Sequence, residues 1–142
     1  MSFALDVKTE ICKTELEDIC CARAELVGMV CFGATIGQGS IKFKTEHGIV
    51  AQRFYDLIKH IYNLPVDAAL SDGGIFFAEL KGSEVIKVLR DMKIHTVPIR
   101  IDKEIVRREC CKMALIRGAF LGSGSVSDPN KSYHVEIATS HF

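Results

Sequence analysis

The sequence predicts a mixed α+β fold: an αββαββα unit followed by the first helix and hairpin of a second, pseudo-symmetric copy. Two observations carry the prediction. A small-residue, helix-like stretch is written twice at a constant offset of ninety residues. Around it, apolar residues at helical spacing give way to short alternating runs hinged on turn-forming clusters.

The first copy of the repeated stretch is Cys20-Cys21-Ala22-Arg23-Ala24-Glu25-Leu26-Val27-Gly28-Met29-Val30-Cys31-Phe32-Gly33. The second runs from Cys110-Cys111 to Gly122-Ser123, matching Ala24 with Ala114, Leu26 with Ile116, Gly28 with Gly118 and Val30 with Phe120. The match extends to Ala34-Thr35-Ile36 and Gly124-Ser125-Val126. A long repeat period means two copies of one supersecondary unit. Residues 1–97 then hold an N-terminal region with the first copy, and residues 98–142 the start of the second. Because residue 142 corresponds to residue 52, the second copy breaks off before its next helix, and the expectation is a fragment of a longer protein.

In chain order, Phe3, Val7 and Ile11 predict a short amphipathic helix over 3–12. Thr14 followed by Glu17 predicts a capping box for the repeated helix, which ends near Phe32 with Gly33 as its stop. Strands over 34–37 and 40–46 turn on Gly37-Gln38-Gly39, with Ile41 and Phe43 on one face and Lys42 and Lys44 on the other. Val50, Phe54, Leu57, Ile58 and Ile61 predict a helix over 49–62, closed by Asn63 and Pro65. Strands over 66–71 and 74–81 hinge on Asp72-Gly73-Gly74, and Ser83 is expected to cap a helix over 84–92. Pro98 marks the crossing to the second copy, whose helix is expected to open at Asp102. A last hairpin, 124–127 and 132–139, turns at Asp128-Pro129-Asn130.

Composition bounds the function. The 142 residues are 48% hydrophobic and 25% charged, with zero net charge. That is ordinary globular material and argues against a strongly basic nucleic-acid module. The N-terminus reads as no signal peptide, and no apolar run is as long as a membrane span, so a cytoplasmic, nucleoid-associated protein without membrane partners is expected. Four of the six cysteines form two Cys-Cys pairs inside apolar segments. That is not a metal-wrapping spacing, so they read as small buried hydrophobes, with no metal and no cofactor.

Cys20, Ala24 and Gly28, like Cys110, Ala114, Gly118 and Gly122, recur every four residues and line one helix stripe. Two such stripes predict a closely packed helix pair at a pseudo-two-fold axis.

These segments, Leu26 to Ala34 and Ile116 to Gly124, resemble the LAGLIDADG motif of homing endonucleases, whose repeat unit has the same element order. The stretch from Arg117 to Glu136 is similar to the corresponding part of WhiA, a family of bacterial DNA-binding regulators of sporulation and cell division. Ser2-Phe3, Val7-Lys8 and Cys20-Cys21 resemble the N-terminus of that family. The likeness covers nearly the whole chain.

A LAGLIDADG nuclease needs a carboxylate at the foot of each paired helix to hold divalent metal. The matching positions here are Gly33 and Ser123, which offer none, so no catalysis is expected. There is also no phosphate-binding P-loop and no nucleophile elbow. His47, His60, His95, His134 and His141 show no zinc-ligand spacing. The resemblance implies instead a sheet face laid over duplex DNA, with Lys42, Lys44, Lys81, Lys131 and His134 as candidate contacts. Glu46, Glu79 and Glu136 dilute that surface. The family further implies a C-terminal helix-turn-helix as the main base reader, and regulatory proteins as partners. A homodimer or domain swap is expected to cover the second hairpin. The rival readings are a metal-dependent LAGLIDADG endonuclease and a pure dimerisation module.

Overall fold

The computed structural model describes residues 3–16, 18–96, 99–126 and 135–137. Helix α1 (Phe3–Cys12) leads to α2 (Ile19–Gly33), the strands β1 (Ala34–Gly37) and β2 (Ser40–Thr45), and α3 (Gly48–Tyr62). Strands β3 (Asp67–Leu70) and β4 (Phe76–Lys81) precede α4 (Glu84–Asp91). A small hairpin, β5 (Ile94–Thr96) and β6 (Ile99–Ile101), and a 3-10 helix (Lys103–Val106) lead into α5 (Glu109–Ser123) and the strands β7 (Gly124–Val126) and β8 (Val135–Ile137). Strands β1, β2, β4 and β3 form one antiparallel sheet in that spatial order. The fold is α+β, as the repeat and the turn clusters imply.

Helix α2 runs through the middle because it is apolar on nearly every side. Leu26, Val27, Met29 and Val30 are fully enclosed. Helices α2 and α5 begin and end ninety residues apart. Both stop the same way: the next residue becomes extended and bonds back into the last turn, Ala34 N–H to the Val30 carbonyl and Gly124 N–H to the Phe120 carbonyl.

Between the two helices the contact is backbone on backbone. A Cβ on Gly118 would be driven into the carbonyl oxygen of Glu25, and one on Gly28 into that of Leu115. Nearer the C-terminal ends, a Cβ on Gly33 would lie 2.9 Å from Gly122 Cα, and one on Gly122 would lie 3.0 Å from Gly33 N. Ala24 and Ala114 are fully buried. Cys110 departs from the expected stripe, since its side chain is exposed, and Cys20 is only half-buried. A row of every fourth residue drifts about 40° per step around a helix of 3.6 residues per turn. Two steps from Gly118 and Gly28 therefore carry Cys110 and Cys20 off the contact, and the neighbouring Cys111 and Cys21 are buried instead.

A buried ion pair sits beside the glycine crossing. Glu25 and Arg53 are 2% and 5% exposed. Arg53 Nε donates to Glu25 Oε2 at 2.7 Å and Nη2 to Oε1 at 3.1 Å, a two-point clamp. Arg53 Nη1 also reaches the Thr14 carbonyl at 2.6 Å, and Arg117 Nε approaches Glu25 Oε1 at 3.5 Å. Helices α2, α3 and α5 thus meet on one carboxylate, and the turn after α1 joins them through Arg53. Above the sheet, Phe43 of β2 stacks on Phe54 of α3 with centroids 4.9 Å apart. Among the described residues no buried side-chain nitrogen or oxygen lacks a partner.

Several local expectations are corrected. Thr14 does not open α2: its hydroxyl donates to the Ile11 carbonyl at 2.7 Å, closing α1, and Asp18 takes the cap position. Glu17 lies outside the described residues. Ser83 precedes α4 in a helical conformation and makes no side-chain cap. Asp102 does not begin α5. Its carboxylate accepts from Glu104 N–H at 2.9 Å and caps the 3-10 helix, so the paired helix starts seven residues later. The hairpin β5–β6 has no counterpart in the expected order. Pro98 and the Asp128-Pro129-Asn130 turn lie outside the described residues.

Two stability outcomes follow from this packing. Gly118→Ala is expected to lower urea stability by about 1–3 kcal/mol through overpacking. Gly37→Ala, where an added Cβ meets nothing within 4 Å, is the near-neutral reference in the same melts. Arg53→Met strands the Glu25 charge and is expected to cost about 3–5 kcal/mol, with Glu25→Leu/Arg53→Met less damaging than Arg53→Met alone. Equal losses in the single and double variants would remove the ion pair from this account.

Candidate nucleic-acid face and the feet of the paired helices

Strand register decides which side chains share a face. Lys42 pairs with Glu79 and Thr35, Lys44 with Phe77, and Ser40 with Lys81. On β3, Asp67 pairs with Glu79 and Ala69 with Phe77. Paired residues project to the same side. Ile41, Phe43, Ala78 and Leu80 are buried against the helices, so Lys42, Lys44, Phe77, Glu79 and Lys81 lie on the opposite face.

The lysines of this face are not equivalent. Lys81 Nζ is 3.4 Å from Asp67 Oδ2, an exposed pair that offsets its charge. Lys42 Nζ stands 4.5 Å from the Phe77 ring centroid. Glu79 accepts from Ser40 Oγ at 2.6 Å, which ties down the acid that faces Lys42. Among the described residues the Lys44 ammonium has no hydrogen bond or ion pair, and its side chain is exposed. The face therefore offers Lys42 and Lys44 to a ligand more than Lys81. Lys131 and His134 lie outside the described residues.

Gly33 and Ser123 end α2 and α5 side by side, at the feet of the helix pair. A cleft of about 500 Å³ opens there, lined by Lys8, Lys44, Glu46, His47, Phe77 and Ser123 among others. Where metal-holding carboxylates would be needed, the chain presents a glycine and a serine. The lining carries two lysines and one carboxylate, a charge balance suited to an anion rather than a divalent cation.

Lys8, Glu46 and His47 were not among the expected site residues. Helix α1 packs against β7 and α5 and so carries Lys8 into the cleft. Its ammonium stands 5.7 Å from the Phe120 ring centroid. Burial pulls the Lys8 pKa below its ordinary value, and the Glu46 carboxylate opposes that fall. One signal was available: Lys8 sits in the half-buried row of Leu5 and Cys12, an unusual place for a lysine. His47 is half-buried and leads into α3, its backbone N–H donating to Thr45 Oγ1 at 3.2 Å. His60 is exposed. His95 Nε2 lies 3.4 Å from Asp102 Oδ2, away from this cleft, and His141 falls outside the described residues.

Among the described residues no helix is long and apolar enough to cross a membrane. A family model described as the WhiA N-terminal LAGLIDADG-like domain matches residues 19–74. A second, described as the WhiA LAGLIDADG-like domain, matches residues 112–141. The probable cell division protein WhiA of Alkaliphilus metalliredigens is 34% identical across 99% of this chain and 50% of its own length. That of Shouchella clausii is 35% identical across 96% of this chain and 47% of its own. The chain therefore spans about half the length of the curated relatives it matches. Full-length WhiA from Thermatoga maritima superimposes with a TM-score of 0.74 at 20% identity, over 96% of this chain and 44% of that one. A structure of the N-terminal LAGLIDADG domain of WhiA gives the same score and identity, over 66% of that chain. Those structures share the fold of this chain. The chain belongs to the WhiA family and corresponds to its LAGLIDADG-like part.

Proposed function

We propose that this chain is the non-catalytic, DNA-contacting scaffold of a transcription regulator of the cell-division and sporulation type. The observation that carries the reading is the exchange at the helix feet. Gly33 and Ser123 stand where a LAGLIDADG nuclease needs carboxylates, and the cleft below them is lined by Lys8 and Lys44. A phosphodiester can be held there by cations without the metal that would activate water for cleavage. Lys42 and Lys44 extend the same basic character over the outer sheet face. In this reading residues 1–97 carry the first copy of the fold, residues 98–142 begin the second, and base reading falls to a helix-turn-helix of the whole protein. Contacts with regulatory proteins belong to the same role.

Self-association is the second part of the proposal. Met113 and Ile116, one turn apart on α5, are 57% and 53% exposed on the side of the helix away from α2. Two large apolar side chains there favour cover by a second copy or by exchanged elements.

Two measurements test the reading. In fluorescence anisotropy with duplex DNA, binding by the chain should weaken steeply with salt, and Lys42→Ala/Lys44→Ala should reduce the log–log salt slope by about 1.8, at about 0.9 per phosphate contact. The same mixtures with Mg²⁺ should leave the DNA intact. An unchanged slope in the variant, or metal-dependent cleavage by the wild type, overturns the proposal. In light scattering the chain should run as a dimer at high concentration, and Met113→Lys/Ile116→Lys should shift it to monomer. A wild type that stays monomeric removes the self-association part.

A further inference from the structure

Three thiols converge where the N-terminal ends of α2 and α5 meet. The sulfurs of Cys20, Cys21 and Cys111 all lie within 4.8 Å of one another. Cys21 and Cys111 are 5% and 4% exposed, while Cys20 is half-buried. A cavity of about 300 Å³ opens on Cys20 and Cys111, and Arg23, Lys93, Arg107 and Arg108 share its lining with one acid, Glu104. Arg108 Nη1 is 3.9 Å from Cys20 Sγ.

We propose that Cys20, Cys21 and Cys111 form a three-thiolate site for a soft d10 metal ion of the zinc class. Zinc–thiolate bonds of about 2.3 Å in a three-sulfur plane set the sulfurs about 4.0 Å apart, so the cluster needs only side-chain adjustment to close on an ion. A disulfide would use two of the sulfurs. A metal ion uses all three, and sulfur donors select it over hard cations such as Mg²⁺.

Charge and access suit the ion as well. Binding releases three thiol protons, and a divalent ion with three thiolates keeps one negative charge, which Arg108 faces. The cavity leaves room for water at the fourth position. Burial opposes ionisation of Cys20, but hydrogen bonds from Cys111 and Cys21 and the nearby Arg108 charge outweigh it, and its pKa lies below the ordinary thiol value. Cys111 moves the other way, raised by burial and then by Cys20, so binding must displace its proton into solvent. An ion here would fasten the entry ends of the two central helices, at the end of the pair opposite Gly33 and Ser123.

The test uses the reduced chain without oxygen, titrated with Cd²⁺ and followed by sulfur-to-metal charge-transfer absorption, with Zn²⁺ as competitor. The expected result is one ion per chain, displaced by Zn²⁺, together with a rise in melting temperature. Cys111→Ser and the half-exposed Cys20→Ala should each weaken binding by more than about 100-fold, beyond the usual cost of losing an outer-shell contact. Circular dichroism of Cys20→Ala confirms that the comparison is between folded chains. Cys110→Ser, outside the cluster, should bind as the wild type does. A wild type that takes up no Cd²⁺, or a Cys20→Ala/Cys111→Ser chain that keeps it, overturns the site.

Discussion

The structure depends on one constraint: two helix backbones touch. At Gly118 and Gly28 the space a Cβ would need is occupied by carbonyl oxygens of the opposite helix. The contact is steric, so it tolerates little variation, and it sets where everything attached to α2 and α5 must lie. Glu25 holds two roles at the crossing. Its carbonyl faces Gly118, while its carboxylate draws Arg53 of α3 and Arg117 of α5 onto the same point. A buried carboxylate is tolerable only because it is paired at two points. The same pairing holds α3, and through Phe54 the sheet, against α2.

From that geometry the cleft follows. Helices that touch along their length must end side by side, so Gly33 and Ser123 come together at the opening of β1 and β7. In a metal-dependent nuclease this meeting of helix feet brings two carboxylates to one ion. Here Ser123, with Gly122 and Gly124, lines a cleft that α1 and β2 supply with lysines. In the proposed reading the scaffold is that of the nuclease, and its focal point faces an anion rather than holding a cation. At the opposite end of the pair, the same close approach brings the sulfurs of two helices within reach of each other.

Legibility in the sequence followed the range of each interaction. The repeat and its C-terminal ends near Gly33 and Ser123 were readable because the chain writes that local chemistry twice, while both N-terminal starts were misplaced, at Thr14 and Asp102. The first hairpin was readable because Gly39, at a φ of +64°, accepts a turn that other residues resist. Asp102 misled for a local reason: a carboxylate two residues before an N–H caps a 3-10 turn as well as an α-helix, and spacing alone does not separate them. Cys110 misled because a fourfold spacing approximates a helix face over two turns and drifts off it over more. The row of Leu5, Lys8 and Cys12 hinted that Lys8 is half-buried, but the cleft it enters and the Glu25–Arg53 pair were out of reach, since each is defined by elements distant in the chain.

By itself, then, the sequence determined the α+β order, the ninety-residue repeat, the glycine positions of the helix pair and that Gly33 and Ser123 carry no carboxylate. These are properties of single segments and of their repetition, and segment chemistry is local. Tertiary structure alone decided what those segments meet. It chose Cys111 over Cys110, carried Lys8 from α1 to the feet of the helices, and closed a carboxylate of α2 on an arginine of α3. Such choices depend on helix rotation and on contacts dozens of residues apart, which no spacing along one strand or helix can encode.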